Sequence, residues 1–210
     1  MADTSFLTSR KLWKPIVFVA CLIPVAMLIW RLFHNDLGAN PQETLNRTIG
    51  DWALRFIVLT IFIRPVADLT KWRQLIQYRR MIGLYAFFYA ALHVTSYLGF
   101  DLQLDWAAFI KDIIKRNYIT VGMVAIVLLI PLAATSTKGM IKRMGGKAWR
   151  RLHMAVYIIA PLGVFHFYMM TKADFREPLF YAALVAIALG YRIWAKAKRS
   201  RPPKPSPRAA

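Results

Sequence analysis

Cysteine is almost absent from this chain: among 210 residues there is one, Cys21, inside an apolar segment. A single thiol cannot close an intramolecular disulfide, and one thiolate is too few for an iron–sulfur cluster or a thiolate zinc site. The Cys-x-x-Cys-His motif of covalently attached haem is missing too. Any metal or redox centre in this protein must therefore depend on other side chains.

Acidic residues are scarce as well: 10 Asp and Glu stand against 29 Lys and Arg, which gives a formal net charge of +19. The acids lie in predicted loops or at the ends of predicted helices, and none lies deep in an apolar segment. Proton-relay transporters usually carry such ionisable groups inside the membrane. The composition therefore weighs against a transporter, although a relay made of histidines stays an alternative.

Hydrophobic residues are abundant instead, at 58% of the chain, and they are collected in long blocks. Blocks of about 20 residues match the hydrocarbon core of a bilayer, which is roughly 30 Å thick. Little chain remains between the blocks for a second, soluble catalytic domain. The pattern predicts an all-α integral membrane protein, a bundle of six transmembrane helices at about residues 15–33, 52–68, 81–100, 118–134, 152–170 and 178–195.

The surplus of basic residues would suggest a nucleic-acid partner in a soluble protein. Here the basic residues are collected in the N-terminal arm, in alternate loops (64–80 and 138–151) and in the tail, whereas the other loops carry both signs. Cytoplasmic loops of membrane proteins are enriched in Lys and Arg. The distribution therefore predicts a multi-pass protein with both termini in the cytoplasm and no nucleic-acid partner.

The chain is predicted to have a transmembrane domain flanked by two polar terminal segments. Residues 1–14 are predicted to be a cytoplasmic arm, residues 15–195 the transmembrane domain, and residues 196–210 a basic, proline-rich, disordered tail. Near residues 105–116, apolar residues recur at helical spacing among charged ones. That pattern is typical of an amphipathic helix that lies in the membrane interface.

Two histidines, His93 and His166, stand out because they lie at matched depth in spans that run in the same direction. Each lies about 20 Å from the basic cytoplasmic boundary, at 1.5 Å rise per residue. Two imidazoles placed in this way can clamp one haem iron from both sides. Iron with both axial positions filled favours electron transfer over oxygen chemistry. The alternative for each histidine is a hydrogen bond between helices.

His153 has no such partner. It lies near the inner face, about 20 Å before His166 on the same predicted helix, and no histidine of the third span lies at its depth. Three roles stay open: ligation of a haem with an unusual partner, binding of another cofactor, or capping of the span. His34, at the outer end of the first span, is interpreted as an interfacial residue.

Arg55 lies within the first turns of the second span, where its side chain has two possible roles. It can extend to the outer headgroups, or it can pair with an anionic cofactor group such as a haem propionate or a phosphate. Aromatic residues flank the histidines and are consistent with a porphyrin wall, though such residues are as common facing lipid: Phe87, Phe88, Phe165, Phe167 and Tyr168.

Three segments resemble the MsrQ (YedZ) family of haem-binding membrane subunits, within the ferric reductase-like transmembrane family. They are RRMIGLYAFFYAALHVTSY (79–97), TSTKGMIKRMGGKAWRRLHMAVY (135–157) and IIAPLGVFHF (158–167). The resemblance extends over nearly the whole chain, including LGANP (37–41) and GDWAL (50–54), and is weak in the tail. It implies a b-type haem on His93 and His166, with His153 matching a further histidine of the family.

The resemblance also implies an FMN, for which the sequence shows no motif. Basic residues such as Arg55, Arg79, Arg80, Arg150 and Arg151 are available for its phosphate. Related NADPH oxidases carry a second histidine on the third span, one haem deeper, and Arg79 lies at that depth here. A second haem therefore stays possible, but it would lack a conventional pair of histidines.

The function that the resemblance implies is electron transfer rather than catalysis. Electrons would pass from a cytoplasmic flavin reductase or a membrane quinol across the bacterial inner membrane to MsrP. That partner is a periplasmic molybdopterin enzyme that reduces oxidised methionine in proteins, and the two would form a heterodimer. The alternatives are a membrane transporter with a histidine relay and a membrane anchor without redox activity.

Overall fold

The computed structural model describes residues 10–200, so that residues 1–9 and 201–210 lie outside the described part. Most of the predicted arm and tail falls there, although the last helix continues to Ser200, into the segment predicted to be disordered. The described chain is helical and contains no strand. Its α-helices are α1 (Arg10–Phe33), α2 (Pro41–Leu69), α3 (Arg79–Ser96), α4 (Trp106–Lys115), α5 (Asn117–Ala134), α6 (Lys138–Met144), α7 (Gly146–Leu152), α8 (Val156–Met170) and α9 (Arg176–Ser200).

Shorter helical turns join some of these helices. A 3₁₀ turn (Arg73–Tyr78) leads into α3, a π-helical turn (Tyr97–Asp101) extends it, and a second 3₁₀ turn (His153–Ala155) joins α7 to α8. With these turns included, five helical stretches of the described chain are long and apolar enough to cross a membrane: Trp13–Phe33, Arg73–Asp101, Asn117–Ala134, Gly146–Met170 and Arg176–Lys198. The prediction of an all-helical, multi-pass membrane protein is confirmed at this level.

The predicted second span belongs to α2, which is 29 residues long but is not among those five stretches. Its composition differs because α2 is the central helix: it packs along α3 and contacts α1, α8 and α9. Buried residues occupy nearly every position from Ala53 to Ile61. Charged residues in membrane-spanning helices almost always face the bundle interior or a water-filled cavity. A helix covered by other helices on most sides can therefore carry more of them than a lipid-facing helix. The count of six spans and the location of the termini stay predictions.

Two tyrosines of α3 hold α1 against the bundle. Pro24 lacks a backbone N–H and disturbs the α1 hydrogen-bond ladder. The hydroxyl of Tyr89 is inserted next to it, accepting from the Val25 N–H at 3.1 Å and donating to the Cys21 carbonyl at 2.9 Å. The Tyr85 hydroxyl donates to the Phe18 carbonyl at 2.8 Å. Neighbouring side chains thus satisfy backbone groups that the bilayer could not.

The predicted amphipathic helix is present as α4. Asp105 caps it, since its carboxylate accepts from the Ala108 N–H at 2.9 Å. Phe109 is buried against the bundle, while Trp106 and Ile114 are exposed. The Tyr97 hydroxyl of the π-helical turn donates to Asp112, which fixes α4 over one end of the bundle. That α4 lies in a membrane interface stays a prediction.

Candidate functional site

His93 on α3 and His166 on α8 face each other between the helices. Their ring centroids are 6.2 Å apart and their planes make an angle of 75°. The two histidines are more than 70 residues apart in the sequence. The packing of the helices places them at the same height in the bundle, as their matched depth predicts. The structure therefore brings together the two histidines that the sequence analysis paired.

Backbone carbonyls fix the tautomer of both rings. His93 Nδ1 lies 3.0 Å from the Asn46 carbonyl oxygen, and His166 Nδ1 lies 2.6 Å from the Tyr118 carbonyl oxygen. A carbonyl oxygen only accepts hydrogen bonds, so each Nδ1 carries the proton and each Nε2 carries a lone pair. Metal-binding histidines are oriented by the same arrangement, in which the other ring nitrogen donates to a fixed acceptor.

The pair fits an iron porphyrin better than a metal ion held by protein alone. Imidazoles bound to opposite sides of one metal have centroids about 6 Å apart, since each metal–nitrogen bond is about 2 Å. Residues 10–200 contain no group of three or more His, Cys, Asp or Glu side chains that could hold a metal ion. A haem would bring four nitrogen ligands of its own and can take up to two ligands from the protein, which is the number that His93 and His166 would supply.

A cavity of about 420 Å³ surrounds the two rings, between α2, α3, α5 and α8. Its volume is within the usual range for sites that bind small organic ligands. Small residues of the four helices leave the space around the two rings open. The small residues that line the cavity are Gly50, Ala53, Ala90, Gly122, Ala125 and Gly163.

The cavity is apolar in its interior and charged at the end that lies beside α4. Its interior is lined by aliphatic residues such as Leu54, Ile57 and Leu129. This distribution matches a porphyrin, which has an apolar macrocycle and two carboxylates on one edge. The residues at the charged end, called the charged mouth below, are Glu43, Arg47, Asp51, Asp101, Arg116 and Lys172.

Ion pairs organise the charged mouth. Arg47 pairs with Glu43 at 2.7 Å, and Arg116 pairs with Asp112 at 3.1 Å. The pKa of Arg116 is raised, chiefly by its hydrogen bond with the Tyr118 hydroxyl and further by Asp112, so it stays charged. Arg116 therefore connects the cavity to α4 through Asp112 and to the His166 hydrogen bond through Tyr118.

Two copies of one helix pair build this site. Asn46, Gly50 and Ala53 on α2 line it, and each has a counterpart on α5 that lies 72 residues later (118 − 46), namely Tyr118, Gly122 and Ala125. Ala90 and His93 on α3 and Tyr97 in the π-helical turn that extends it have counterparts on α8 that lie 73 residues later (166 − 93), namely Gly163, His166 and Met170. Residues that line the cavity thus recur at nearly equal spacing in the pair α2–α3 and in the pair α5–α8.

The other predicted site residues lie away from this cavity. The Arg55 guanidinium lies over the Trp52 ring, 4.7 Å from its centroid, and donates to the Tyr181 hydroxyl of α9 at 3.1 Å. Arg79 lies at the other end of the bundle, where it donates to the Tyr157 hydroxyl at 2.9 Å. The Arg192 guanidinium lies 4.0 Å from the centroid of the same Tyr157 ring.

His153 lies in the 3₁₀ turn between α7 and α8 and does not line the cavity. Its Nε2 lies 3.0 Å from the Thr135 hydroxyl oxygen. That hydroxyl donates its own proton to the Pro131 carbonyl at 2.6 Å, so His153 Nε2 is the donor in the contact. The ring also stacks on Trp149 at 4.0 Å, and Trp149 donates to the Thr135 carbonyl. The contacts are those of a side chain that fixes the turn after α5.

The residues that shape the cavity are not among those predicted from the sequence. Of the five aromatic residues considered as a porphyrin wall, Phe167 lines it, whereas Phe88, Phe165 and Tyr168 are exposed on the outside of the helices. The glycines and alanines were overlooked because small residues are common in any membrane helix. The equal spacing of Gly50–Ala53 and Gly122–Ala125 is the signal that could have revealed them.

Comparisons with known proteins agree with this site. Residues 49–164 match the family described as ferric reductase like transmembrane component. A Caulobacter vibrioides protein called protein-methionine-sulfoxide reductase heme-binding subunit MsrQ is 48% identical over 179 residues, which cover 85% of each chain. Proteins of the same name from Rhodospirillum rubrum and from Xanthomonas oryzae are 46% and 44% identical. The alignment with the Rhodospirillum protein covers 96% of this chain and 97% of that protein. The alignment with the Xanthomonas protein covers 99% of this chain and 100% of that protein.

Proposed function

The chain belongs to the ferric reductase-like transmembrane family and, within it, to the MsrQ haem-binding subunits, and we propose that it carries electrons through one b-type haem to a methionine sulfoxide reductase. The observation that carries this proposal is the pair of His93 and His166 rings, 6.2 Å apart in a cavity with a charged mouth. A haem bound there supplies reversible one-electron chemistry at its iron.

In this proposal His93 and His166 would hold the haem iron, each through Nε2. The carbonyls of Asn46 and Tyr118 hold the rings in the required tautomer. With two protein ligands the iron would have no open position for oxygen or for a substrate. The chain is therefore an electron-transfer subunit, and reduction of methionine sulfoxide takes place on a separate catalytic subunit.

The charged mouth gives this site a direction. Arg47, Arg116 and Lys172 are positioned to hold the haem propionates, a role that we assign to them rather than to Arg55, whose guanidinium faces Trp52 and Tyr181. The basic segments 64–80 and 138–151 mark the cytoplasmic side by the positive-inside rule, in a bundle of six spans with cytoplasmic termini. The haem then lies near the periplasmic surface of the bacterial inner membrane.

This topology supports a partner on the periplasmic side. We assign the surface around the charged mouth to contact with an MsrP-type molybdopterin subunit, which would receive electrons from the haem and repair oxidised periplasmic proteins. The short path from the cavity to this surface favours such a contact, because electron transfer requires close approach of donor and acceptor. The electron donor, a flavin reductase or a quinol, acts at the opposite face.

The inner half of the bundle must carry the electron to the haem, and FMN is the carrier that the family resemblance implies. Arg79 is our candidate for its phosphate, since Arg79 and Arg192 both approach Tyr157. We assign His153 a structural role at the turn beside Thr135, rather than a place as a haem ligand. Measurement of FMN in the purified wild type and in Arg79→Ala tests the flavin assignment.

The direct test of function uses the protein reconstituted in sealed vesicles. A membrane-impermeant oxidant is placed on the side of the charged mouth and a reductant on the other side. The proposal predicts haem reduction from one face and reoxidation from the other, with both steps absent in His93→Ala. A coloured protein whose haem never exchanges electrons across the bilayer would favour a membrane anchor, and a folded protein without haem that moves a solute would favour a transporter.

A further inference from the structure

Each of the two histidine rings lies against a glycine of the neighbouring helix. A Cβ atom at Gly50 would lie 3.0 Å from Cε1 and 3.1 Å from Nδ1 of His93. A Cβ atom at Gly122 would lie 3.0 Å from the same two atoms of His166. Separations this short are rarely tolerated, so an alanine at either position requires the ring or the helix to shift by a few tenths of an ångström.

Each of these glycines lies at the same position relative to the backbone carbonyl that accepts from the neighbouring histidine. Gly50 lies one helical turn after Asn46, whose carbonyl accepts from His93 Nδ1. Gly122 lies one turn after Tyr118, whose carbonyl accepts from His166 Nδ1. The carbonyl fixes one edge of each ring, and the missing Cβ leaves the space that the ring occupies.

We propose that Gly50 and Gly122 are paired positioning residues that set the ring planes of His93 and His166, and through them the reduction potential of the bound haem. This inference rests on the proposed function, because it concerns the two ligands of that haem. The matching contacts with the ring and the orienting carbonyl make the two glycines equivalent, so each acts on its own histidine in the same way.

The physical consequence follows from the hydrogen bond at Nδ1. Donation from Nδ1 to a carbonyl increases the basicity of the ring and its electron donation to the metal. A Cβ atom that pushes the ring away lengthens this hydrogen bond and weakens the donation. Oxidised iron is then less stabilised relative to reduced iron, so the midpoint potential rises. The ring plane also turns, which alters the electron paramagnetic resonance (EPR) signal of the ferric haem.

Other helical glycines of this chain provide matched controls. A Cβ atom at Gly83 would meet Thr60 at an ordinary 3.7 Å, and one at Gly190 would meet nothing within 4 Å. Alanine favours a helix interior over glycine by about 1 kcal/mol, so substitution at these two positions should be neutral or stabilising. The same gain applies at Gly50 and Gly122, and any loss there reports the contact with the ring.

The experiment compares Gly50→Ala, Gly122→Ala, Gly83→Ala and Gly190→Ala, each as full-length protein purified with its haem. Redox titration and low-temperature EPR of the ferric protein are measured on all four. We expect a higher midpoint potential and a shifted low-spin signal in the first two and wild-type values in the controls. Wild-type values in Gly50→Ala and Gly122→Ala would overturn the inference while leaving the proposed haem function intact; a wild type without haem would instead overturn the function.

A second set of three variants keeps the inference testable if the alanine variants lose their fold or their haem. His93→Gly removes the imidazole that a Cβ atom at position 50 would contact. Gly50→Ala can then be introduced into this variant without a clash. The His93→Gly protein, which is expected to lose its haem, is supplied with haem and increasing concentrations of free imidazole, and haem binding is read from the absorption spectrum. The same titration is made with Gly50→Ala added and, as a control, with Gly83→Ala added. We expect Gly50→Ala alone to weaken imidazole binding several-fold, because its Cβ occupies the ring position. Equal affinities in the three proteins would overturn the inference.

Discussion

The imidazole planes of His93 and His166 stand at 75° to each other, close to perpendicular. Each plane is fixed by its own carbonyl, that of Asn46 for one ring and that of Tyr118 for the other. Perpendicular axial ligands leave the two π-type d orbitals of a haem iron nearly equal in energy. The geometry therefore has a spectroscopic consequence that does not depend on any partner protein.

The ferric protein is expected to show a strongly anisotropic low-spin EPR signal with one large g value, as is typical of perpendicular imidazoles. Low-temperature EPR of the oxidised, purified protein measures it. A conventional rhombic signal, typical of nearly parallel planes, would contradict the ring geometry even if both histidines were ligands.

Replacing Tyr89 by phenylalanine is expected to lower the free energy of unfolding by about 1–3 kcal/mol, because Val25 N–H and the Cys21 carbonyl both lose their partner in a buried place. Thermal unfolding in detergent gives the comparison. Tyr85→Phe is the matched control, since its hydroxyl serves the single carbonyl of Phe18 and should cost less. An equal loss of unfolding free energy in both variants would contradict a larger contribution from the Tyr89 hydroxyl beside Pro24.

His153→Ala is expected to keep its haem and its absorption spectrum while unfolding more easily, by about 1–2 kcal/mol, since the variant loses the hydrogen bond to Thr135. His34→Ala is the control, because His34 also stacks on a tryptophan, Trp30, but lies exposed. Haem content and thermal unfolding are measured on both. Loss of haem in His153→Ala, with His34→Ala unaffected, would restore His153 as a candidate ligand.

Lys172→Gln removes one cation from the charged mouth and should lower the midpoint potential of the haem. A nearby positive charge favours the reduced state, which carries one more electron, and its loss is worth roughly 1 kcal/mol at a partly solvated site. Lys138→Gln is the control, since Lys138 is exposed at the start of α6 and does not line the cavity. Redox titration measures both variants. Equal midpoint potentials in Lys172→Gln and Lys138→Gln would argue against a propionate contact at Lys172.

The sequence predicted the pairing of His93 with His166 because depth along a membrane helix follows directly from the residue count. It also predicted α4, whose amphipathic pattern is strong. The role of α2 was harder to see, since its charged residues reflect packing against α3, α8 and α9, which a hydropathy pattern does not report.

The roles of individual side chains around the two histidines could not be predicted from the sequence, for a different reason. Gly50 and Gly122 act through the absence of a side chain, and their equivalence appears once the rings of His93 and His166 are placed beside them. Arg55 was a reasonable partner for an anion by its position, but its side chain turns toward Tyr181. The direction of a side chain around its helix depends on tertiary packing that sequence spacing alone leaves open.

The most direct test of the central claim is the haem content per chain of the purified wild type, His93→Ala and His166→Ala, determined by extraction and by the dithionite-reduced spectrum. The claim predicts one extractable b-type haem in the wild type and its loss in both variants, with all three proteins folded. Full haem content with unchanged spectra in either variant would contradict it.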